Sequence, residues 1–398
     1  MLTRPLPPAP IDPAELEPVL QSDYGAVRTL PADAYTSDEV LAWERRHIFG
    51  GGWVCIGRSD LVPNLRDQRA LMTNGLNVLL TRDEEGEVHA FHNSCRHRGH
   101  ELIGVGECVS RRHIACPYHS WAYALDGQLR TATRFSDVPG FDPDDYPLRS
   151  MAIEEWRGWL FLNVSGDAPP LADWVGNLDE QLEPWPTATM TIQAQHEYVV
   201  KANWKTIIEN YLECYHCPAI HPELCRVSPP DSGTPIEPTG LWIGGHMELA
   251  DHAETMSLDG KSNGTTMDGM SGPLLRQIHY YALFPSILIS PHPDYVMTHR
   301  LEPISPNETF VECAWLFTPE AVEHPGFNPS FAEDFWHLTN TQDFNACESV
   351  ARALDAGAFC PGPLDYREAG VRRFMGSMAR VYQDGVLEPP ALIDTAIW

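Results

Sequence analysis

The chain has 398 residues, 43% of them hydrophobic and 10% aromatic, with a net charge of −28. That length and composition describe a folded protein with enough chain for two sizeable cores. The charge excludes a nucleic-acid binder or a ligand of anionic membranes, since both need a basic face. A cationic substrate or partner is compatible with it, although a solvated, self-repelling surface accounts for it more simply.

Residues 1–45 read as an N-terminal arm and a helix. The first 22 are Pro-rich and predict loose order. "TSDEVLAWERRHIF" predicts a helix capped by Thr36 or Ser37, with Val40, Trp43, His47 and Ile48 on one face. No apolar leader and no run of about 18 apolar residues is visible, so a cytoplasmic protein without a membrane span is expected. The ten Cys are scattered, which reads as reduced thiols and metal ligands, not as a disulfide framework.

Residues 46–160 read as a compact all-β module. "NVLLTRDEEGEVHAF" predicts a hairpin turning at Glu-Gly, and "HSWAYALDGQLRTAT" a second turning at Asp-Gly. Residues 161–398 form a second unit, with "DAPPLADWVG" as the linker. There "QHEYVVKANW" reads as a strand, followed by a helix from about Trp204 to Tyr215. Residues 226–275 show little periodicity and suggest a lid or a surface insertion. "IHYYALFPSILISPHPDYVMTHRLEPISPNETFVECAWLFTP" predicts three antiparallel strands, and the chain from about 328 is mostly helical.

Two motifs carry chemistry. In the β module, Cys95-x-His97 and Cys116-x2-His119 are separated by eighteen residues. Zinc is the generic ligand of two Cys and two His. Here, however, each loop brings one thiolate and one imidazole. That alternation suits a Rieske [2Fe-2S] cluster, with both Cys on one iron and both His on the other. Pro117 and Gly99 fit tight ligand loops. His92, His100, His113 and Cys108 complete no second pair.

The second motif is "ENYLECYHCPAIHPELC". Glu209, Glu213 and His216 fall on one face of a continuous helix, whereas His221, five residues on from His216, points about 140° away. The two His converge only if the helix ends between them, and Pro218 supplies that ending. A facial triad needs a carboxylate as well. "NTQDFNACESVARAL" offers Asp343 on a face shared with Cys347, Val350 and Leu354, where a metal would compensate its charge. The alternatives are a solvated helix carboxylate or a salt bridge to Arg352. Glu209 reads best as solvated, and Cys214, Cys217 and Cys225 as packing residues.

These motifs resemble a known family. "CRHRG…CPYHSW", "NWKTIIENYLECYHCPAIHP" and "QDFNACES" are similar to the signatures of the Rieske non-haem iron oxygenases, terminal (alpha) subunit, over about residues 35–380. The resemblance implies an α+β fold: an all-β Rieske domain, then a catalytic domain of antiparallel sheet covered by helices, of helix-grip type. It implies that Cys95, His97, Cys116 and His119 hold the cluster, and that His216, His221 and Asp343 hold mononuclear Fe(II). Most members have Asp where Glu213 stands, hydrogen-bonded to a cluster His of a neighbouring subunit; the partner here would be His119. A head-to-tail homotrimer follows from the same likeness. No GxGxxG motif is present, so electrons would come from a separate NAD(P)H-dependent reductase, with or without a ferredoxin.

Glu213, "ECYHC" and "HMELADHAETMSLDG" are most similar to members that oxidise quaternary ammonium compounds such as glycine betaine, using O2 and losing a methyl as formaldehyde. An aromatic cage would suit such a substrate, and Trp242, Tyr280, Tyr281 and Trp315 are available. Hydroxylation of an aromatic ring or natural product is the alternative, favoured by an apolar pocket built from Phe284–Ile289. A non-catalytic iron–sulfur carrier or a zinc-stabilised binding module are the remaining readings.

Overall fold

In the computed structural model, which describes residues 6–262 and 266–390, the chain divides into two units. One spans Phe49–Ala168, and the other joins the residues up to Ile48 to those from Pro169 onward.

The Phe49–Ala168 unit is all β. Its strands are β1 (Val54–Arg58), β2 (Asp67–Thr73), β3 (Leu76–Arg82), β4 (Val88–His92), β5 (Cys108–Ser110), β6 (Ile114–Ala115), β7 (Ala122–Tyr123), β8 (Leu129–Thr131), β9 (Ser150–Trp156) and β10 (Trp159–Asn163). Seven form one sheet in the order β1-β10-β9-β4-β3-β2-β5, and β6-β7-β8 form a small second one. Both predicted hairpins are present. Gly86 ends the β3–β4 turn at φ 94°, and Gly127 sits between β7 and β8 at φ 85°, in the left-handed region that glycine tolerates best. A β-carbon on Gly127 would lie 2.4 Å from the Phe91 ring, so this turn also needs the missing side chain. One core cluster holds Cys95 and Cys116 together with Trp121, Tyr123 and Ile114.

The other unit is built on an antiparallel sheet in the order β11-β17-β16-β15-β14-β13-β12. These are β11 (Thr191–Val200), β12 (Thr234–Pro235), β13 (Trp242–Glu248), β14 (Gln277–Leu283), β15 (Ile287–Pro291), β16 (Val296–Ser305) and β17 (Glu308–Phe317). Its helices include α1 (Asp38–Glu44), α2 (Trp204–Tyr211), α3 (Cys217–Ile220), α4 (Pro222–Val227), α5 (Ser330–Asp355) and α6 (Ala369–Asp384). Ser37 caps α1, its hydroxyl accepting from Val40 N at 3.3 Å, and Val40, Trp43 and Ile48 are buried as the pattern predicts.

Several elements differ from the sequence reading. The arm is not loose over the described residues: Leu6, Ile11, Leu16 and Val19 are buried, and Ala9 N donates to Tyr382 O; residues 1–5 lie outside the described residues. The stretch 226–275 contains β13, hidden from pattern reading by Gly244 and Gly245. A β-carbon on either would meet a neighbouring strand's carbonyl oxygen at 2.1 Å, so close strand approach requires both glycines. Residues 263–265 of that stretch lie outside the described residues. Four strands, not three, occupy 277–317, because the predicted first strand bends at Phe284-Pro285 into β14 and β15. Helix α2 stops at Tyr211, four residues short of the prediction. No described helix is long and apolar enough to cross a membrane.

Candidate functional site

The β unit brings its four candidate ligands together. Cys95 and Cys116 are 2% and 3% exposed, and the His97 and His119 rings lie 4.6 Å apart at the half-buried rim. Each ligand loop is closed by its own backbone: Gly99 N donates to Cys95 O at 2.9 Å, and Ser120 N to Cys116 O at 3.1 Å. Gly99 and Ser120 take the left-handed conformation these turns demand, at φ 74° and 58°. Tyr123 OH lies 3.2 Å from Cys95 Sγ and accepts from Arg96 N. Trp121 stacks on His97 with ring centroids 5.0 Å apart. The donor set fits a Rieske cluster. His97 Nδ1 is buried and has no hydrogen-bond partner among the described residues, as an atom reserved for a metal would be.

In the other unit His216, His221 and Asp343 converge, their ligand atoms all within 4.8 Å of one another. The path to that geometry is not the predicted one. Glu213 ends α2's influence by accepting, through one carboxylate oxygen, the backbone N–H groups of Tyr215 and His216. That is the task of an N-cap, and it starts a new turn instead of prolonging the old helix. His216 then precedes α3, and Pro218 is not the break but an opening residue of α3, where its missing N–H costs nothing. His221 sits between α3 and α4. Asp343 comes from the middle of α5; of its predicted face, Cys347 and Leu354 are buried, but Val350 is 43% exposed. Arg352 instead lies 4.0 Å from Glu348.

The hydrogen bonds around the triad decide what it suits. His221 Nδ1 lies 2.7 Å from Gln342 Oε1 and donates to it, since an amide oxygen only accepts. Its Nε2 therefore presents a lone pair to Asp343 Oδ1, 2.8 Å away. His216 repeats the arrangement: Nδ1 donates to Glu213, and Nε2 lies 3.3 Å from the same Asp343 oxygen. Lone pairs facing a carboxylate at these distances repel unless a proton or a cation lies between them. Burial disfavours the charged form of His216, yet the Asp343 and Glu213 carboxylates outweigh it and raise its pKa to about 10. Burial likewise opposes ionisation of Asp343, and the two imidazoles overcome it, holding the carboxyl at about 2. Two imidazoles and one carboxylate, each imidazole oriented through its far nitrogen, match a mononuclear iron site with open positions.

The triad opens into a cavity with about 570 Å³ of empty space, open solvent included. Helices supply Tyr211, Trp336 and Thr339, while the sheet supplies Gly245, His246, Met247 and Tyr280. Tyr211 is pinned by its hydroxyl to Ser290 Oγ at 2.9 Å, and Trp336 by its indole N–H to Tyr295 OH at 2.8 Å. Of the four aromatics considered from sequence, only Tyr280 lines this cavity; Trp242, Tyr281 and Trp315 are core residues. Tyr211 lies two residues beyond Glu209 in the signature and Trp336 seven before Asp343, so ligand-helix spacing was the signal that could have found them. No residue from 284–289 lines it.

Two further readings are corrected here. Cys214 and Cys217 form a disulfide across α3's start, so the chain is not uniformly a reduced-thiol protein; both line the triad cavity, and only Cys225 of the three stays free. Glu209 is not a solvated carboxylate. It accepts from Tyr35 OH at 2.8 Å, and burial raises its pKa to about 7 against the pull of Tyr35 and Lys205. A carboxyl whose folded pKa lies above its ordinary 4.5 contributes stability below that value and loses it as pH rises through 7. Glu209→Gln cannot ionise. Urea unfolding is therefore expected to shift in the variant's favour between about pH 5 and about pH 8, and a pH-independent difference would refute the assignment.

Comparison with known proteins agrees with these two centres. The Rieske [2Fe-2S] domain family matches residues 52–142, and the ring hydroxylating alpha subunit (catalytic domain) family matches residues 187–384. The glycine betaine monooxygenase oxygenase subunit of Pseudomonas aeruginosa is 29% identical, covering 90% of this chain and 92% of that one. The carnitine monooxygenase oxygenase subunit of Escherichia coli is 36% identical over 196 residues, 49% of this chain and 52% of that one. Among solved structures, the quaternary ammonium Rieske monooxygenase CntA in complex with L-carnitine superposes with a TM-score of 0.75 at 24% identity, over 94% of this chain and 99% of that one. Naphthalene 1,2-dioxygenase from Rhodococcus sp. gives 0.72 at 20% identity, over 89% and 94%.

Proposed function

The chain belongs to the Rieske-type ring-hydroxylating oxygenase alpha subunits, and from that premise we propose that it N-demethylates a small quaternary ammonium compound. One observation carries the substrate reading. The triad cavity is lined by Tyr211, Tyr280 and Trp336 and by the acidic residues Glu213 and Asp343, and none of its described lining residues is Lys or Arg. Aromatic faces and carboxylates attract a trimethylammonium head, which has no hydrogen-bond donor to satisfy, by about 0.5–2 kcal/mol per ring. The named activities of the P. aeruginosa and E. coli relatives support the same class.

Iron at the triad would bind and reduce dioxygen, with the cluster supplying electrons singly. The chain's own residues do the rest. Tyr211, Tyr280 and Trp336 hold the cation with a methyl toward His216, His221 and Asp343. Glu213 and Gln342 keep both imidazole Nδ1 atoms protonated, so that both Nε2 atoms stay ligands. The balance is one substrate C–H, one O2, two electrons and two protons giving C–OH and water. The hydroxymethylammonium then breaks its C–N bond, releasing formaldehyde, a proton and the tertiary amine. The electrons come from a separate reductase.

We also propose that Glu213 is the electron bridge, through His119 of the partner subunit in a head-to-tail trimer. Glu213→Gln keeps size and loses charge. Turnover per bound mononuclear iron is expected to fall about 10–100-fold, with the Rieske EPR signal unchanged; unaltered turnover per bound iron would remove Glu213 from the route.

The reading as a whole is tested with a surrogate reductase and a panel of quaternary ammonium compounds alongside naphthalene-type arenes. Formaldehyde stoichiometric with O2 consumed is the expected result. Arene diols or phenols without formaldehyde would establish the ring-hydroxylating alternative instead.

A further inference from the structure

A second set of metal-ligand atoms converges where the edge strand of the catalytic sheet meets α5. His196 and Tyr198 alternate along the edge strand β11, so they share a face. Glu333 and His337 are one turn apart on α5 and also share a face. Strand period and helix period bring the four side chains together. His196 Nδ1 lies 3.2 Å from His337 Nδ1. Tyr198 OH closes the triangle, 3.1 Å from His196 Nδ1 and 2.7 Å from His337 Nδ1. The Glu333 carboxylate lies 2.7 Å from His196 Nε2.

The tautomers follow from this contact. A carboxylate accepts only, so His196 Nε2 carries the proton it donates to Glu333. In the neutral ring Nδ1 is then a bare lone pair, aimed at the other two donor atoms. This is the orientation a carboxylate imposes on a metal-binding histidine through its far nitrogen. The spacing also fits. Two imidazole nitrogens at about 2.0–2.1 Å from a tetrahedral ion are about 3.3 Å apart, against the 3.2 Å found here. The 3.3 Å between His216 Nε2 and Asp343 in the iron triad is the same bite. The Tyr198 hydroxyl, within 3.1 Å of both Nδ1 atoms, supplies an oxygen, and water completes the shell.

We propose that His196 and His337, with Tyr198 beside them and Glu333 orienting His196, form a second metal site, for a borderline divalent cation of the zinc type that prefers imidazole. It shares no residue with the cluster ligand set or with the His216, His221 and Asp343 triad. Its effect is mechanical: an ion there ties the edge strand to α5, and Asp343 lies six residues further along that helix.

The test uses the full chain with its cluster loaded and Asp343→Asn introduced to weaken zinc binding at the triad. After dialysis against micromolar zinc, His196→Ala and His337→Ala in that background are each expected to hold one zinc fewer per chain than the parent. Zinc is expected to raise the parent's melting temperature but not theirs. Glu333→Gln touches no ligand atom, yet is expected to weaken zinc binding about 10–100-fold. Far-UV circular dichroism and a zinc-free melting temperature matching the parent's verify that the variants fold. Equal zinc content in the parent and both His variants, or full-strength binding in Glu333→Gln, overturns the proposal.

Discussion

Asp343→Asn is expected to leave the chain folded, with the two irons of its cluster, while the mononuclear iron and turnover are lost. The carboxylate is the only anionic member of the triad and faces both imidazoles, 2.8 Å from His221 Nε2 and 3.3 Å from His216 Nε2. Two neutral imidazoles alone hold Fe(II) weakly against water. Outer partners of metal ligands are worth about 10–100-fold each, so loss of a ligand itself should cost turnover more than about 100-fold. Misfolding does not offer a rival explanation. The asparagine amide can donate to His221 Nε2, turning a lone-pair conflict into a hydrogen bond. Iron analysis with the Rieske EPR signal as internal standard reads the outcome. Retention of full iron content, or of turnover within tenfold of the parent, would move the mononuclear site elsewhere.

Both sets of candidate ligands that the fold brings together were legible in the sequence because metal chemistry is discrete. Cys95, His97, Cys116 and His119 alternate thiol and imidazole at loop spacings, and few other uses of such a pattern exist. His216, His221 and Asp343 could be named because two imidazoles need a carboxylate and one helix offered it on a buried face. The route by which His216 reaches the site could not be read. Helical periodicity assumes that the helix continues, and Glu213 diverts the chain by taking two backbone N–H groups, an interaction that a side chain within a helical pattern does not announce. Pro218 looked like the cause because a proline within a helical pattern usually is; at the opening of α3 it is harmless.

The cavity was less legible for a different reason. A strand pattern says which residues share a face, not which face meets a ligand. Tyr280 and Tyr281 are adjacent in β14 and equally plausible on paper; Tyr280 lines the triad cavity, while Tyr281 is fully buried beside His279, its hydroxyl 2.8 Å from His279 Nδ1. Strand β13 was missed because its glycines erase the alternation, although they are what lets β12 and β14 approach it. The Glu209–Tyr35 bond spans 174 residues and has no local signature.

The same helix that leads to the triad is anchored at its other end by a buried ion pair, and Lys205→Met is expected to loosen it. Lys205 Nζ lies 2.7 Å from Glu44 Oε1, and both side chains are 0% exposed. Trp204 Nε1 donates to the second Glu44 oxygen at 2.8 Å, and Tyr382 OH donates to Glu44 as well. One carboxylate therefore joins α1, α2 and α6. Burial lowers the Lys205 pKa, with Glu44 opposing the shift. Removing one member of such a pair leaves an uncompensated buried charge, at a cost of about 3–5 kcal/mol. For a unit of this size that corresponds to a fall in melting temperature on the order of 10 °C. Met matches the length of the lysine stem but not its charge, so the cost is electrostatic and not a cavity. The companion Glu44→Gln/Lys205→Met separates the two: removing both charges is expected to recover most of the loss, since paired replacements are often neutral. If the double variant is as unstable as the single one, packing, and not the pair, holds α2. Because Lys205, Glu209 and Glu213 follow one another at four-residue intervals toward His216, a loosened α2 is also expected to weaken iron retention before the cluster unit unfolds.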